Sequence, residues 1–298
     1  MKDIPPLKMR AVIQASSGGP LSIREIDVPV PGKGEVLVKM AFAPINPSDL
    51  SQLQGTFTPL PRYPFTPGIE GSGTVIAQGK GIIPALRSGK RVACTSKKGK
   101  GGSWAEYMLT SASNCVPLKN DTSFEAGSML LVNPMTVIAF MDLIKSGKHL
   151  TIVNNAAGSS LGIMLQRMCT KGGIKLINIV RNNKKVEELK GAGATIILNS
   201  SESSFISSLR DISKENNAKL FFDAIGGRQT EIMAEVSPPG SRIILYARLS
   251  EESFTIDSRT LLQHGKTVDG FSLPLYTRTK SIPALLKMTG KVKALIST

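Results

Sequence analysis

The sequence predicts an α/β protein in which a doubly wound parallel sheet follows a separate, β-rich unit. From about Phe124 onward, short apolar strands alternate with helical segments, whereas roughly the first 120 residues contain short strands punctuated by Gly and Pro. A glycine turn, Thr151–Gly162 (TIVNNAAGSSLG), joins the first strand and helix of the alternating part. The chain has 298 residues, enough for two hydrophobic cores.

The N-terminal part is predicted to form a compact, barrel-like unit, because its strands follow one another without intervening helices. The Pro- and Gly-dense stretch Gln54–Gly68 is predicted to be a long loop. The predicted strands are Arg10–Gln14, Leu21–Val28, Glu35–Phe42, Gly71–Gln78, Arg91–Cys94 and Ala105–Leu109.

The C-terminal part begins with a predicted helix over Phe124–Ile144 that is interrupted at Pro134, since proline removes a helix donor. Six strands then alternate with helices, as a doubly wound parallel sheet requires. The strands are Thr151–Asn155, Leu176–Val180, Thr195–Asn199, Lys219–Ala224, Arg242–Tyr246 and Thr267–Phe271. The helices between them are Leu161–Lys171, Lys184–Lys190, Phe205–Glu215 and Thr230–Val236. We therefore predict a nucleotide-binding domain over residues 124–273 and a first domain that comprises residues 1–123 with 274–298.

The glycine turn predicts a binding site for a phosphorylated dinucleotide. Small residues there let the backbone approach a pyrophosphate, and Gly162 permits close packing of the following helix, whose N-terminal amides face the anion. An ordinary strand–turn–helix is the alternative, because Ala-x-Ser-x-x-Gly is a degraded form of the Gly-x-Gly-x-x-Gly fingerprint. The cofactor-binding residues predicted at this turn are Ala157, Gly158, Ser159, Ser160, Leu161 and Gly162.

The end of the next strand indicates which dinucleotide binds. Arg181 lies about 20 residues past the turn, where an NAD-binding fold usually carries an Asp or Glu for the ribose hydroxyl. An Arg suits a 2′-phosphate instead, so the predicted cofactor is NADPH; a solvated surface Arg is the alternative. The remaining predicted cofactor-binding residues are Thr136, Asn182, Tyr246 and Phe271.

Composition excludes several classes of function. The net charge of +15 could attract nucleic acid or phosphorylated small molecules, or reflect a basic proteome. The basic residues are scattered and aromatic residues make up only 5%, so nucleic-acid binding is not expected. Apolar runs are too short to span a bilayer and the N-terminus lacks a signal-peptide pattern, so a cytoplasmic protein is expected. Three cysteines without ligand-like spacing (Cys94, Cys115 and Cys169) are predicted to be buried apolar residues.

Six short motifs in order resemble the medium-chain dehydrogenase/reductase superfamily. They are Ile45–Leu50 (INPSDL), Pro67–Gly73 (PGIEGSG), Gly89–Val92 (GKRV), Gly102–Tyr107 (GSWAEY), Val132–Thr136 (VNPMT) and the Gly158–Gly162 turn. The resemblance implies a GroES-like β-barrel domain and a Rossmann domain. Members typically continue beyond the position of Thr298, so it also implies that the GroES-like domain lacks its C-terminal part here.

Zinc enzymes of this superfamily hold their catalytic metal with a Cys and with a His that lies between Gly and Glu. Here Asn46 stands in the region of the Cys, and Ile69 takes the place of the His between Gly68 and Glu70. Neutral amide and alkyl side chains do not replace thiolate and imidazole as zinc ligands. The resemblance is therefore to a zinc-free branch.

Among zinc-free branches, the chain most resembles the 2-enoyl thioester reductases, through the Asn155–Gly162 run and the Asn46–Asp49 segment before Gln54-Gly55. Related quinone oxidoreductases share Asn46-Pro47 but usually have a more Gly-rich turn. One departure concerns the proton donor, because Phe57 stands where the enoyl reductases carry a Tyr and has no hydroxyl.

The resemblance implies an NADPH-dependent reductase of an activated C=C bond, such as an enoyl thioester or enone. A quinone or alkenal reductase and a catalytically weak nucleotide-binding protein are the alternatives. The predicted catalytic residues are Asn46 as a polar anchor, Tyr63 as a substitute proton donor and Trp104 as a wall of an apolar slot. Asn46 could instead shape a turn, and Trp104 could be core. A homodimer paired near Val268–Ser272 is expected.

Overall fold

The computed structural model describes residues 5–56 and 61–296 and divides the chain into two compact units. The first unit comprises residues 1–132 and 287–298, and the second comprises residues 133–286. The domain boundaries predicted above remain a prediction. No helix of the described residues is long and apolar enough to cross a bilayer.

The first unit is built from two antiparallel sheets. One contains β1 and β2, and the other has five strands in the order β6-β3-β4-β5-β7. The strands are β1 (Lys8–Gln14), β2 (Leu21–Asp27), β3 (Glu35–Phe42), β4 (Glu70–Gln78), β5 (Arg91–Thr95), β6 (Tyr107–Ser111) and β7 (Cys115–Pro117). The core of the larger sheet consists of inward-facing residues of these strands, among them Val36, Val38, Val75, Val92 and Met108.

Two sequence predictions for this unit were wrong in detail. Strand β6 begins at Tyr107 rather than at Ala105, because Ala105 forms only an isolated bridge with Ala11 of β1. Strand β7 was not predicted, since its three residues give no measurable alternation. Its pairing with β5 brings Cys94 directly opposite Cys115. Both thiols are buried, as is that of Cys169 in the second unit, which confirms the prediction of buried cysteines.

The helix predicted to break at Pro134 breaks earlier. The short helices α1 (Pro47–Leu53), α2 (Ile82–Arg87) and α3 (Phe124–Ser128) belong to the first unit, and α4 runs without interruption over Val132–Ser146. Pro134 lies in the first turn of α4, where an N–H group has no intrahelical acceptor and its loss costs little. The interruption lies at residues 129–131 instead.

The second unit contains a six-stranded parallel sheet in the order β10-β9-β8-β11-β12-β13. Its strands are β8 (Thr151–Asn154), β9 (Lys175–Val180), β10 (Ile196–Asn199), β11 (Leu220–Asp223), β12 (Arg242–Leu245) and β13 (Thr267–Gly270). Its helices are α5 (Ser160–Lys171), α6 (Val186–Gly191), α7 (Phe205–Glu215), α8 (Arg228–Val236), α9 (Ser258–Leu262) and α10 (Leu273–Arg278). The last helix, α11 (Ile282–Ile296), begins in this unit, and its residues from Lys287 onward belong to the first unit. This confirms the predicted doubly wound sheet.

The strand order reverses direction between β8 and β11. From β8 the chain moves outward to β9 and β10, and from β11 it moves outward on the other side to β12 and β13. In open α/β sheets, ligands bind at such a switch point, beyond the carboxyl ends of the strands. The loops that follow β8 and β11 are therefore where a site is expected.

Candidate active site

The glycine turn follows β8 at the switch point. Ala156 adopts a left-handed conformation, with φ of 47°, and the Ala157 N–H donates to the carbonyl oxygen of Ile179 at 3.1 Å. Ser159 caps α5, since its Oγ accepts from the Gly162 N–H at 3.1 Å. These contacts fix the turn with α5 beginning directly behind it, which is the arrangement that binds anions at a helix N-terminus.

Neither glycine of the turn has room for a side chain. A Cβ on Gly162 would meet the backbone of Ala157, and a Cβ on Gly158 would lie 2.7 Å from the Cβ of Lys185. At these two positions the turn therefore packs closely against its own backbone and against Lys185, without side chains between them. This fits a pyrophosphate, which requires close approach to backbone N–H groups.

Arg181 and Asn182 follow β9. The Arg181 side chain is exposed, and no acidic residue occurs from Val180 to Lys185. Asn182 caps a short 3-10 turn, because its Oδ1 accepts from the Lys184 N–H at 3.1 Å. Lys185 forms an ion pair with Glu188. Arg181 is thus left as an exposed cation at a strand end beside the switch point.

Three further predicted cofactor residues lie in or against the core of the second unit. The ring of Phe140 packs edge-on against Tyr246 and Phe271, with centroid separations of 5.0 and 5.1 Å. The Tyr246 hydroxyl donates to Asn154 Oδ1 at 3.4 Å, and burial, with Asp223 nearby, raises its pKa. Thr136 is buried on α4. Tyr246 and Phe271 directly follow β12 and β13, so both stand at the carboxyl edge of the sheet.

Sequence reasoning missed a buried polar network between the loops after β8 and β11. Asn155 donates from Nδ2 to Asp223 Oδ1 at 2.6 Å, and the Thr230 hydroxyl donates to Asp223 Oδ2 at 2.6 Å. All three residues are 0% exposed. The available signal was a polar residue at the end of each of two apolar strands, TIVNN and LFFD.

In the first unit, two buried carboxylates hold Asn46. Asn46 donates from Nδ2 to Glu70 Oε1 at 3.2 Å and from its backbone N–H to Asp49 Oδ2 at 2.7 Å. Glu70 Oε2 also accepts from the backbone of Leu131 and Val132, at 3.0 and 2.9 Å. Burial raises the pKa of both Glu70 and Asp49. Asn46 thus has a fixed orientation at the start of α1.

Trp104 lies at a shallow groove of the first unit. Its indole Nε1–H donates to the carbonyl oxygen of Pro44 at 3.2 Å, which connects it to the segment that precedes Asn46. The groove has a volume of about 340 Å³, and its apolar lining includes Ile23, Met40 and Phe42. Trp104 is therefore partly exposed at an apolar surface rather than enclosed in the core.

Tyr63 packs edge-on against Phe65, with ring centroids 5.3 Å apart. Its hydroxyl is buried and has no hydrogen-bond partner among residues 5–56 and 61–296. Phe57, the residue that stands where the enoyl reductases carry Tyr, lies outside the described residues.

The positions that correspond to zinc ligands carry no metal-binding side chains. Asn46 uses its amide on Glu70, and the Ile69 backbone N–H donates to Asp49 Oδ1 at 2.9 Å. Within the part of the chain that the structure describes, no cluster of three His, Cys, Asp or Glu could hold a metal ion.

Two family models match the chain. The alcohol dehydrogenase GroES-like domain matches residues 32–120, and the zinc-binding dehydrogenase model matches residues 160–290. Their order along the chain is that of the β-rich first unit followed by the parallel sheet.

The chain is similar to proteins of two kinds. Two enoyl-[acyl-carrier-protein] reductases of Caenorhabditis elegans, both mitochondrial, are 28% and 30% identical; the matches cover 91% and 81% of this chain and 80% and 69% of the relatives. A solved structure assigned as an NADPH:quinone reductase of Mesorhizobium loti is 28% identical, with a TM-score of 0.92 over 99% of this chain and 90% of that one. With the fold and motifs described above, these matches show that the chain belongs to the medium-chain dehydrogenase/reductase superfamily.

Proposed function

We propose that this chain catalyses the NADPH-dependent reduction of an activated C=C bond, in an enoyl thioester or enone, without zinc. The observation that carries the proposal is the bare glycine turn at the switch point, with exposed Arg181 at the end of the adjacent strand. The similarity to enoyl reductases over most of the chain supports the substrate class.

Each unit supplies side chains or backbone groups with a defined task in this reaction. The turn and the N-terminus of α5 hold the pyrophosphate, and Arg181 pairs with the 2′-phosphate. When bound, NADPH supplies the hydride. Negative charge then develops on the substrate carbonyl oxygen, so hydrogen-bond donors aimed at it lower the barrier. Asn46, held by Glu70, anchors the reacting end, and Trp104 contacts the apolar part of the substrate.

The proton that completes the reduction comes from Tyr63 or from water. The Tyr63 hydroxyl has no acceptor among the described residues, so its proton is not committed to another bond there. We expect Tyr63→Phe to lower the turnover of an enoyl thioester by about 10²-fold or more, without lowering the melting temperature, because no hydrogen bond within the described residues is lost. An unchanged turnover would leave water as the donor.

Quinone reduction is the second candidate, and the similarity to the Mesorhizobium loti protein favours it. Quinone products take protons readily from solvent, so no positioned acid is needed. The substitution Phe57→Tyr separates the two functions. Restoring a hydroxyl is expected to raise enoyl-thioester turnover, since positioned acids contribute about 10²–10⁴-fold, and to leave quinone turnover unchanged.

The direct test is NADPH oxidation followed at 340 nm with crotonyl-CoA, with a benzoquinone and with no acceptor. Acceptor-dependent oxidation of NADPH that persists after treatment with a chelator supports the proposal. Stoichiometric zinc in the purified protein, or loss of activity on chelation, would overturn the zinc-free assignment. Oxidation with the quinone alone would select the second candidate.

We also propose a homodimer that pairs through β13, which is one of the two edge strands of the parallel sheet. An edge strand presents unpaired N–H and C=O groups that a second copy can satisfy. Light scattering on the purified protein tests this directly, with the monomer mass as the contrary result. Location in the cytoplasm stays a prediction.

A further inference from the structure

Two loops of the second unit meet across the switch point. The first loop, 155–159, contains the glycine turn and follows β8; the second loop, 224–227, follows β11 and leads into α8. Strands β8 and β11 are neighbours, but the chain leaves them toward opposite sides of the sheet. The last backbone bond between the two strands runs from the Asn155 N–H to the Phe222 carbonyl oxygen, at 3.2 Å, so the sheet does not hold the two loops together beyond that point.

Asn155 joins the two loops with both ends of its amide. Its Nδ2 donates to Asp223 Oδ1 at 2.6 Å, and its Oδ1 accepts from the backbone N–H of Ala224 at 2.7 Å. The side chain is 0% exposed. Since both ends of the amide are engaged on the second loop and the side chain is hidden from solvent, it is not available to touch a ligand itself.

Asp223 accepts from two backbone N–H groups of the second loop and from a hydroxyl of α8. Its Oδ1 also accepts from the N–H groups of Ile225 and Gly226, at 2.8 and 3.0 Å, and its Oδ2 accepts from the Thr230 hydroxyl at 2.6 Å. An ionised carboxylate only accepts hydrogen bonds and has about four lone-pair sites, so the four donors around Asp223 match its accepting capacity. The second loop is thereby held both to the first loop and to α8.

The first loop needs such support. Ala156 directly follows Asn155 and has a φ of 47°, a left-handed conformation that is strained for a residue with a side chain. A strained residue persists only where its neighbours hold it. On one side of Ala156, Asn155 is fixed by its side-chain bond to Asp223. On the other side, Ala157 is fixed by the bond from its N–H to the carbonyl oxygen of Ile179.

We infer that Asn155, Asp223 and Thr230 are positioning residues, which set the two loops so that the crevice at the switch point accepts the pyrophosphate and adjoining ribose of NADPH. The inference rests on the function proposed above. The three side chains act through the loop backbones and do not contact the cofactor.

The main test is Asn155→Ala, with Asn178→Ala as the matched control. Asn178 is also a 0% exposed asparagine of the same sheet, but its amide donates within the sheet and to Gln166 of α5, at 2.8 Å, and not to either loop. Dissociation constants for NADPH are measured by fluorescence titration well below each melting temperature. We expect roughly a tenfold increase for Asn155→Ala and less than a twofold change for the control.

Conservative substitutions separate positioning from general loss of stability. In Asp223→Asn the amide oxygen can still accept from the three N–H donors while its NH₂ faces Thr230, whose hydroxyl can accept. We expect this variant to bind NADPH within about threefold of wild type. Thr230→Val should weaken binding more than Thr230→Ser, which keeps the hydroxyl. A role in stability alone would lower the melting temperature without this order of dissociation constants.

Hydrogen exchange provides a readout that does not need the cofactor. Asn155→Ala should accelerate exchange of the Ala224, Ile225 and Gly226 amides by roughly tenfold and leave the amides of β9 unchanged. Faster loop exchange with an unchanged dissociation constant would overturn the inference and leave the proposed function intact. A wild-type protein that binds neither NADPH nor NADH would overturn both.

Discussion

Each unit of the molecule buries a carboxylate that gathers hydrogen-bond donors, but the two carboxylates reach their donors differently. Glu70 begins β4 and binds Asn46, Leu131 and Val132, which are 24 to 62 residues away along the chain. Asp223 ends β11 and binds its own loop, Thr230 and Asn155 of the neighbouring strand. In the second unit, parallel pairing brings strand ends together at one edge, whereas the contacts of Glu70 depend on irregular segments.

The two ways of gathering donors predict different sensitivities to substitution in the two units. Regular parallel pairing repeatedly places loops at the same edge of the sheet, so the proposed cofactor site of the second unit is specified by few residues. In the first unit, the orientation of Asn46 relies on single side chains such as Glu70. In the second unit, we expect the most damaging substitutions to deform the glycine turn. In the first unit, we expect them to release the side chain of Asn46 from Glu70.

The largest expected effect is that of Gly162→Ala. The added Cβ would enter the backbone of Ala157, so the turn must shift, and a displacement of about 1 Å can cost about 10²-fold in a positioned site. We expect the dissociation constant of NADPH to rise by roughly that factor. Gly191→Ala is the control, since no atom lies within 4 Å of its Cβ position. Equal affinity of the two variants for NADPH would contradict the proposed pyrophosphate site at the glycine turn.

A smaller and more specific effect is expected for Arg181→Ala. A charge-assisted bond to phosphate contributes about 1.5–3 kcal/mol, so the preference for NADPH over NADH should fall roughly tenfold to a hundredfold. NADH binding should hardly change, because NADH lacks the 2′-phosphate. Titration of both cofactors checks this. A parallel loss of NADH affinity would show that Arg181 supports the loop rather than the phosphate.

The smallest effects concern pH and the first unit. Burial raises the pKa of Glu70, so its ionised form is disfavoured in the folded state, and its contribution to stability is lost as pH rises through the folded pKa. The ion pair with Lys97 lowers the pKa of Glu35, so its contribution is present at neutral pH and lost as pH falls through the folded pKa.

We therefore expect opposite pH profiles for two variants. The advantage of wild type over Glu70→Gln in unfolding free energy should decrease from about pH 4 to pH 8. The advantage over Glu35→Gln should increase over the same range, to roughly 1 kcal/mol. Urea unfolding at several pH values measures both, and profiles of the same sign would contradict the assignment.

The sequence predicted the second unit well because long apolar periodicity is a local signal. Strands β8 to β13 were each placed within one residue or two, and the turn residues are where the fingerprint puts them. It predicted the first unit less well. Strand β7 has three residues and β6 adjoins an isolated bridge, so tertiary pairing rather than pattern sets their bounds.

The polar networks were harder to predict than the elements. Asn46 and Asn155 stood out as motif residues, but nothing local shows that Glu70 and Asp223 are their partners. A buried carboxylate that accepts hydrogen bonds from distant backbone amides produces no periodic pattern in the amino-acid sequence. The pairing becomes visible only when the strand ends are placed in space.

The three buried thiols are built-in reporters of motion. Burial raises the pKa of Cys115 and Cys169 to about 12 and also raises that of Cys94, so almost no reactive thiolate exists in the closed state. Labelling by a thiol reagent must therefore await local opening. Cys94 and Cys115 face each other on β5 and β7 in the first unit, and Cys169 lies on α5 in the second. The labelling rates of these native cysteines would report the opening of each unit separately, with no cysteine introduced by mutation.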